Sequence, residues 1–335
     1  MSAVRLAFPV ALSLVACVIA APGATAAACT WKASALPLPA GMTQGRAIAS
    51  DDQGGYAGIM MGTGPERVAL WKPDGVVDYG QVPFAPYLVS VADVNRSGTV
   101  VGHGLRSTFA YGPFRSVGTR IEALPVPAGT HSATAKAVND RGDIVGQYVP
   151  KLGERGRAVM WPADRPGQMV ELTGLPGTDT KVANDIDEDG TVLVDVVTSN
   201  GTTTGYLWKN GVATKLAPPV ASKDVSGKSI SAGRIAGWIS LEEQPGELRA
   251  VQWDAEGNAS VLPEGQSADS VNRDGLAVGD THDYSVGAAV WRGGKLEAKL
   301  PNSPQLFAGK VGDDGGIPAY TRSDNKDTPL VYRCG

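Results

Sequence analysis

A block of about a dozen residues recurs along the chain, and it constrains the fold more than any other feature of the sequence. Each copy carries a small residue, then an apolar residue followed by Asn or Asp, then a Gly and a short apolar run. The copy from Ala135 to Gly146 reads Ala-Lys-Ala-Val-Asn-Asp-Arg-Gly-Asp-Ile-Val-Gly. Seven marker glycines, at positions 54, 98, 142, 190, 233, 275 and 315, are separated by 40–48 residues. Self-similarity at this period is typical of repeat architectures.

A second block follows each first block and consists of an apolar strand that ends in an aromatic residue, then a turn. Five copies end in tryptophan, at Trp71, Trp161, Trp208, Trp253 and Trp291, and Tyr111 and Tyr332 take this place in the second and seventh copies. Each repeat therefore predicts four short strands, with hairpins at the Asn-x-x-Gly and Asn-Gly or Gly-Gly turns. Four strands per 40–50 residues, repeated seven times, predict an all-β, seven-bladed β-propeller over residues 29–335.

The two ends of this region complement each other. The segment from Cys29 to Pro39 resembles the last strand of a repeat, whereas Thr328 to Gly335 resembles a third strand that then stops. We therefore predict a 3+1 closure, in which the N-terminal strand completes the last blade. Cys29 and Cys334 fall where the missing hairpin turn would lie, and we expect them to form a disulfide that closes the ring.

Residues 1–28 read as an export signal. Arg5 supplies the positive charge, Leu6 to Ala21 is apolar, and small residues offer cleavage sites within positions 26–28. The prediction is a secreted, extracellular protein. An alternative is a lipoprotein acylated at Cys17, which is less favoured because the apolar run continues past this cysteine. No later segment is long and apolar enough to predict a membrane span.

The charge balance excludes several partners. The chain has 30 Lys and Arg against 34 Asp and Glu, a formal net charge of -4, and these residues are evenly spread. Such a surface argues against binding of nucleic acid or of an anionic membrane. The 43 glycines and 23 prolines favour many tight turns over long helices.

The paired patterns A-x-x-[IV]-N-x-x-G-x-[IV]-V-G and A-x-x-W-x-x-G resemble the HAF-type repeats of secreted bacterial proteins. The resemblance covers most of residues 30–333; it implies a β-propeller and no particular activity. The WD dipeptide of WD40 repeats and the regular pattern of kelch repeats are absent. The fifth copy departs from the pattern around Asp224 to Gly233, and the apolar run of the fourth copy ends in Val194 instead of Gly.

The loops that join second to third strands are long, uneven and polar, and in a propeller they share one face with the loops between repeats. Variable loops on a rigid scaffold are the expected place for binding. Trp238 has no position in the repeat pattern, so it is a candidate for stacking on a sugar or anchoring a protein, with core packing as the alternative. The candidate contact residues on this face are Tyr148, Lys151, Glu154, Arg155, Trp238, Glu242, Glu243, His282, Asp283, Tyr284, Tyr320, Arg322 and Asp324.

We predict a non-catalytic recognition module that binds a cell-surface glycan or another secreted protein. It would act as a targeting or docking subunit of a larger extracellular assembly, an antagonistic or toxin-like one included. No aromatic residue recurs at one loop position, which disfavours a multivalent lectin but allows one or two sugar sites. The alternative is a lyase- or hydrolase-type enzyme that uses a His/Asp pair on the same face, since His103, His131 and His282 could all lie there.

No catalytic residue, metal or cofactor is predicted. The three histidines have no repeated spacing, and no Gly-x-Ser-x-Gly motif occurs. Asp185, Asp187 and Asp189 match the opening of an EF-hand loop, but its twelfth position is Val196 instead of the bidentate Glu. A plain Asx turn is the preferred interpretation, and calcium binding stays open.

Overall fold

The computed structural model describes residues 29–244 and 246–335. The predicted signal peptide, the cleavage sites and Cys17 lie outside the described residues. All regular elements in the described part are β-strands. None of these residues belongs to a helix of the length and apolar character that a membrane crossing requires.

The described residues form 28 strands in the following order. They are β1 (Trp31–Ala35), β2 (Met42–Ser50), β3 (Tyr56–Gly62), β4 (Arg67–Lys72), β5 (Gly75–Gln81), β6 (Val89–Val94), β7 (Val100–Ser107), β8 (Ala110–Val117), β9 (Arg120–Ala123), β10 (Ser132–Val138), β11 (Ile144–Val149), β12 (Arg157–Trp161), β13 (Val170–Glu171), β14 (Thr180–Ile186), β15 (Val192–Val197), β16 (Thr203–Lys209), β17 (Val212–Lys215), β18 (Ser222–Ser231), β19 (Arg234–Leu241), β20 (Leu248–Trp253), β21 (Ala259–Val261), β22 (Gly265–Val271), β23 (Leu276–Thr281), β24 (Val286–Arg292), β25 (Lys295–Pro301), β26 (Gln305–Ala308), β27 (Ile317–Ser323) and β28 (Lys326–Cys334). Repeats 1 to 6 comprise β2–β5, β6–β9, β10–β13, β14–β17, β18–β21 and β22–β25, and repeat 7 comprises β26–β28.

The all-β propeller arrangement predicted from the repeats is confirmed, but the sheets do not separate into seven. Repeats 1, 2, 3 and 6 each form a four-stranded sheet, and a fifth such sheet has the order β1-β28-β27-β26. Repeats 4 and 5 together form one eight-stranded sheet, because β16 and β18 meet in a parallel bridge between Thr204 and Val225. Five discrete four-stranded sheets are therefore observed instead of the expected seven.

The first strands of the repeats surround a central channel. One cavity of about 140 Å³ is lined by corresponding residues of all seven repeats, among them Asp52, Arg96, Asp140, Arg273 and Asp313. In the described residues, seven clusters of buried apolar side chains each join two consecutive repeats, and one of them joins repeat 7 to repeat 1. Burial of these clusters is the main term that holds neighbouring sheets together.

The Asn of the first block serves both its own turn and the next repeat. Asn139 Oδ1 accepts the amide of Asp143 at 3.0 Å within the turn. Its counterpart Asn95 donates Nδ2 to the carbonyl of Asn139 at 2.9 Å, so one side chain links two repeats. Glycine is needed at the end of this turn because the backbone there is left-handed, with φ of 86° at Gly142.

The tryptophan of the second block links repeats in the same way. Each of the five indole Nε1 atoms donates to the carbonyl of a residue just after the preceding repeat's last strand. For Trp253 the acceptor is Ala217 at 2.7 Å, and for Trp291 it is Pro263 at 2.9 Å. These indoles fill the core and also satisfy a polar atom, as buried tryptophans generally do.

The two ends of the described chain meet. Strand β1 pairs antiparallel with β28, from Trp31 opposite Cys334 to Ala35 opposite Leu330. Cys29 and Cys334 form the predicted disulfide, with their Cα atoms 5.4 Å apart. The irregular fifth repeat also forms its first hairpin, with Ala232 and Gly233 both at positive φ in its turn.

Candidate functional site

The predicted loop face is built from seven loops between second and third strands and from the segments that connect repeats. The first set of loops spans residues 63–66, 108–109, 150–156, 198–202, 242–247, 282–285 and 324–325. Nine predicted contact residues lie exposed in these loops: Lys151, Glu154, Arg155, Glu242, Glu243, His282, Asp283, Tyr284 and Asp324. They belong to repeats 3, 5, 6 and 7, and their role in binding stays a prediction.

Three of the other predicted residues have structural partners on strands. Tyr148 is buried in the apolar cluster between repeats 2 and 3. Tyr320 stacks on Phe307 with ring centroids 4.6 Å apart. Arg322 makes a two-pronged ion pair with Asp327, at 2.6 and 2.9 Å. These contacts stabilise the fold; Tyr148 offers little surface to a ligand, whereas the Arg322 side chain is 37% exposed.

Trp238 lies on β19, the second strand of repeat 5, and is partly buried. Its indole is opposite Ser226 across the strand pair, and Lys228 Nζ lies 5.9 Å from its ring centroid. In the described residues it makes no Nε1 bond of the kind that the five repeat tryptophans make. Among these six tryptophans of the described chain, it is the one with a lysine ammonium close to its ring.

Within the part of the chain that the structure describes, no histidine is hydrogen-bonded or ion-paired to a carboxylate. His282 Nε2 lies 2.9 Å from the carbonyl oxygen of Leu248, while Asp283 Oδ1 accepts bonds from the amide and hydroxyl of Ser285. Burial, with a smaller effect from the Lys136 ammonium, lowers the pKa of His103 to about 4. His103 is therefore neutral at physiological pH.

The acidic turn of repeat 4 is used for bonding between repeats. Asp185 Oδ2 accepts the amide of Ile230 at 2.9 Å, and Asp187 accepts the amides of Ala232 and Gly233. Although burial acts to raise it, the ion pair with Lys209 and bonds from Thr191 bring the pKa of Asp189 down to about 2. Within the described part of the chain, no three His, Cys, Asp or Glu side chains are grouped closely enough to hold a metal ion.

The turn-side mouth of the channel carries a network of charges. Arg96 contacts Asp140 and Asp313 at 2.8 Å each and Asp52 at 3.4 Å, so it joins repeats 1, 2, 3 and 7. Deeper in the channel, Lys310 Nζ lies between Asp185 at 3.1 Å and Asp93 at 3.3 Å. Most charged side chains at this mouth are therefore paired with one another and stabilise the scaffold.

Exposed apolar side chains, which the sequence analysis did not single out, gather on the loop face. Nine large apolar or aromatic residues are exposed in the described chain, and seven of them lie in or next to the loops of this face. The seven are Tyr87, Leu88, Phe109, Tyr111, Leu152, Val220 and Tyr284. The first four belong to the segment before β6 and the hairpin of β7 and β8, and we call them the apolar patch.

Two residues of the apolar patch have left-handed backbones. Leu88 is 63% exposed with φ of 57°, and Phe109 is 80% exposed with φ of 58°. Left-handed backbone is uncommon for bulky residues and costs about 1 kcal/mol, whereas Gly or Asn adopts it more readily. Strained conformations concentrate at binding and active sites. Two strained, solvent-facing apolar side chains on adjoining loops therefore mark this patch as a candidate binding site.

Comparisons with known proteins agree with the fold and leave the activity open. No family model matches the chain, and no curated protein matches it either. A streptogramin B lyase structure is similar over 91% of this chain and 98% of that chain, at 14% identity and a TM-score of 0.53. The β-propeller domain of the Trilobed protease from Pyrococcus furiosus matches over 88% and 97%, at 9% identity and a TM-score of 0.54. A prolyl endopeptidase matches over 88% of this chain and 50% of the longer chain, at 12% identity and a TM-score of 0.59.

The class is therefore the β-propeller proteins. Identities of 9–14% carry the fold alone, and the named activities belong to those other proteins.

Proposed function

We propose that this protein is a secreted, non-catalytic recognition module that docks another secreted protein through the apolar patch. The observation that carries the proposal is that seven of the nine exposed large apolar side chains in the described chain share the loop face. Exposed apolar groups concentrated on one face are typical of interaction sites. The Cys29–Cys334 disulfide supports an oxidising compartment, where such bonds persist.

A protein partner suits this surface better than a glycan. Leu88 and Phe109 present apolar side chains that would fill pockets on a partner, as anchors do at protein interfaces. Sugars are usually held by an aromatic ring with polar groups around it, and the polar loop residues lie in other repeats. The partner we propose is a protein segment rich in aliphatic and aromatic side chains.

The test uses the protein purified from its natural producer by gentle gel filtration. Wild-type protein is expected to elute with a second secreted chain in fixed stoichiometry. The double variant Leu88→Asn, Phe109→Asn should bind that chain at least tenfold more weakly, because two apolar anchors buried in the complex contribute roughly 1.5–3 kcal/mol each. Asn tolerates left-handed backbone, so this variant should keep its melting temperature.

The matched control is Val212→Thr, which changes an exposed apolar side chain on the opposite face. It should leave the complex intact. Elution of the wild-type protein alone, or equal retention of the partner by the patch variant, would contradict the proposal. Glycan binding that Trp238→Ala abolishes, without any protein partner, would overturn it in favour of a lectin-like function.

We further propose that the eight-stranded sheet consists of two blades, which gives seven in total. The strands of its halves, β14–β17 and β18–β21, are paired at only one bridge. The halves also share an apolar cluster, as every other pair of consecutive repeats does. In this account β1 is the outer strand of the last blade, a 3+1 closure secured by the disulfide. The HAF-type repeat resemblance and export by residues 1–28 belong to the same proposal.

A further inference from the structure

The first strand of six repeats carries a β-bulge at the same place. In repeat 3 the pairing register shifts between Ala135 and Ala137, and in repeat 5 it shifts between Gly227 and Ser229. A bulge leaves one residue unpaired and redirects its side chain. The bulged residues of repeats 1 to 6 are Ile48, Ala92, Lys136, Asn184, Lys228 and Asp269. We call them the bulge ring.

Two lysines of the bulge ring lack the partners that another channel lysine has. Among residues 29–244 and 246–335, neither Lys136 nor Lys228 has a hydrogen-bond or ion-pair partner, whereas Lys310 lies within 3.3 Å of two carboxylates. Both unpaired side chains are partly buried. Withdrawing an ammonium group from water without an anion is unfavourable, so an unpaired, partly buried lysine is unusual.

The residue between them does not neutralise these charges. Asn184 donates its amide to Asp195 at 2.9 Å and to the carbonyl of Gly227 at 2.8 Å, so those donors are occupied. Burial, then repulsion from the ammonium groups of Lys228 and Lys310, lowers the pKa of Lys136. An anion between the two lysines would remove this repulsion.

The nearby carboxylates accept hydrogen bonds from other donors, and in the described residues none lies within ion-pair distance of either lysine. Asp195 accepts the Ser226 hydroxyl at 2.6 Å as well as the Asn184 amide. Burial and the neighbouring Asp280 charge raise the pKa of Asp269 to about 6. The aromatic face of Trp238, 5.9 Å from Lys228 Nζ, adds an apolar surface beside Lys228.

We propose that the channel binds a small organic oxyanion, a carboxylate or phosphate, between Lys136 and Lys228, with its carbon skeleton against Trp238. This site goes beyond the proposed docking function and does not depend on the apolar patch. It lies in the channel on repeats 3 and 5, whereas the patch lies on the outer loops of repeats 1 and 2.

Isothermal titration calorimetry of the full protein at low ionic strength tests the site. The probes are glucuronate and inorganic phosphate. Lys136→Met and Lys228→Met should each weaken binding by at least tenfold, because a bond to a charged group contributes roughly 1.5–3 kcal/mol. Trp238→Phe should weaken glucuronate binding and leave phosphate binding unchanged. Leu88→Asn with Phe109→Asn should leave both unchanged.

Lys295→Met, on an exposed outer strand, is the matched control and should bind like the wild type. Removing an unpaired ammonium should not lower the melting temperature, so a lost signal cannot reflect unfolding. Binding of glucuronate alone assigns the ligand to carboxylates, phosphate alone assigns it to phosphates, and both support the shared chemistry. Binding of neither probe, or equal binding by the Lys136→Met, Lys228→Met double variant, would overturn the proposal.

Discussion

At the residue scale, the tryptophans of the second block do more than fill space. Trp253 is buried and donates to the carbonyl of Ala217, 36 residues earlier. The recurring aromatic position was recognised in the sequence, but the hydrogen-bond acceptor was not. The acceptor is a backbone atom in a connecting segment, and no side chain in the sequence signals it.

Removing this bond should weaken the fold. Trp253→Phe is expected to lower the free energy of unfolding by about 2–4 kcal/mol, because it removes the hydrogen bond to Ala217 and opens a small cavity where the buried indole packs. Trp238→Phe, which removes no such bond, should cost clearly less. Urea denaturation of both variants checks this. Equal losses would show that the bond between repeats contributes nothing.

A second residue-scale prediction concerns pH. Burial, partly offset by the bond from the Asp313 amide, raises the pKa of Asp52 from 3.8 to about 7. The native state therefore binds a proton that the unfolded state releases between about pH 4 and 7. The stabilisation is complete below pH 4 and is lost as the pH rises through 7.

Asp52→Asn should remove this dependence while keeping an acceptor for the Asp313 amide. The unfolding free energies of the wild type and the variant, measured by urea denaturation, should diverge between pH 4.5 and 8 by on the order of 2 kcal/mol. Asp93 acts in the same direction and His103 in the opposite one, so the comparison with the variant isolates Asp52. Asp74→Asn, in an exposed turn, is the control. Parallel pH curves for wild type and Asp52→Asn would contradict the assignment.

At the scale of elements, the pairing of β1 with β28 and the disulfide hold the two ends together. The cysteines are 305 residues apart in sequence. Cross-linking so long a loop restricts the unfolded chain strongly, and the chain-entropy model assigns several kcal/mol to it. The sequence predicted this bond because the two end segments looked like parts of one interrupted hairpin.

The variant with Cys29→Ser and Cys334→Ser should lose roughly 2–5 kcal/mol of unfolding free energy. Reductant should destabilise the wild type by a similar amount and leave the double variant unaffected. Denaturation with and without dithiothreitol gives the answer. A wild type that is indifferent to reductant would mean that strand pairing alone secures the ends.

The bulge ring could not be predicted from the sequence because it depends on local strand register. The run Ala135-Lys136-Ala137 reads as ordinary alternation, with lysine facing solvent. The bulge keeps both alanines buried and turns the lysine toward the channel, which no residue type in the run indicates. The same holds for Leu88 and Phe109, since left-handed backbone without Gly or Asn leaves no signal in the sequence.

At the scale of the whole molecule, the repeat period predicted the propeller and the joining of its ends. The period did not predict the ion pairs of the channel, because Arg96 and Asp313 are 217 residues apart and meet only once the ring forms. The number of discrete sheets also differed, because one bridge pair between Thr204 and Val225 merges two repeats. A repeat thus specifies architecture well, whereas the residues that vary between copies decide what the surface can bind.

Site-specific photocrosslinking tests the central claim, that the apolar patch docks a secreted protein. A photoreactive phenylalanine analogue would replace Phe109 in the natural producer, and a matched strain would carry it in place of Val212. If the apolar patch docks a secreted protein, position 109 should give an adduct with one defined secreted chain and position 212 should give none. Adducts from neither position, or equally from both, would contradict it.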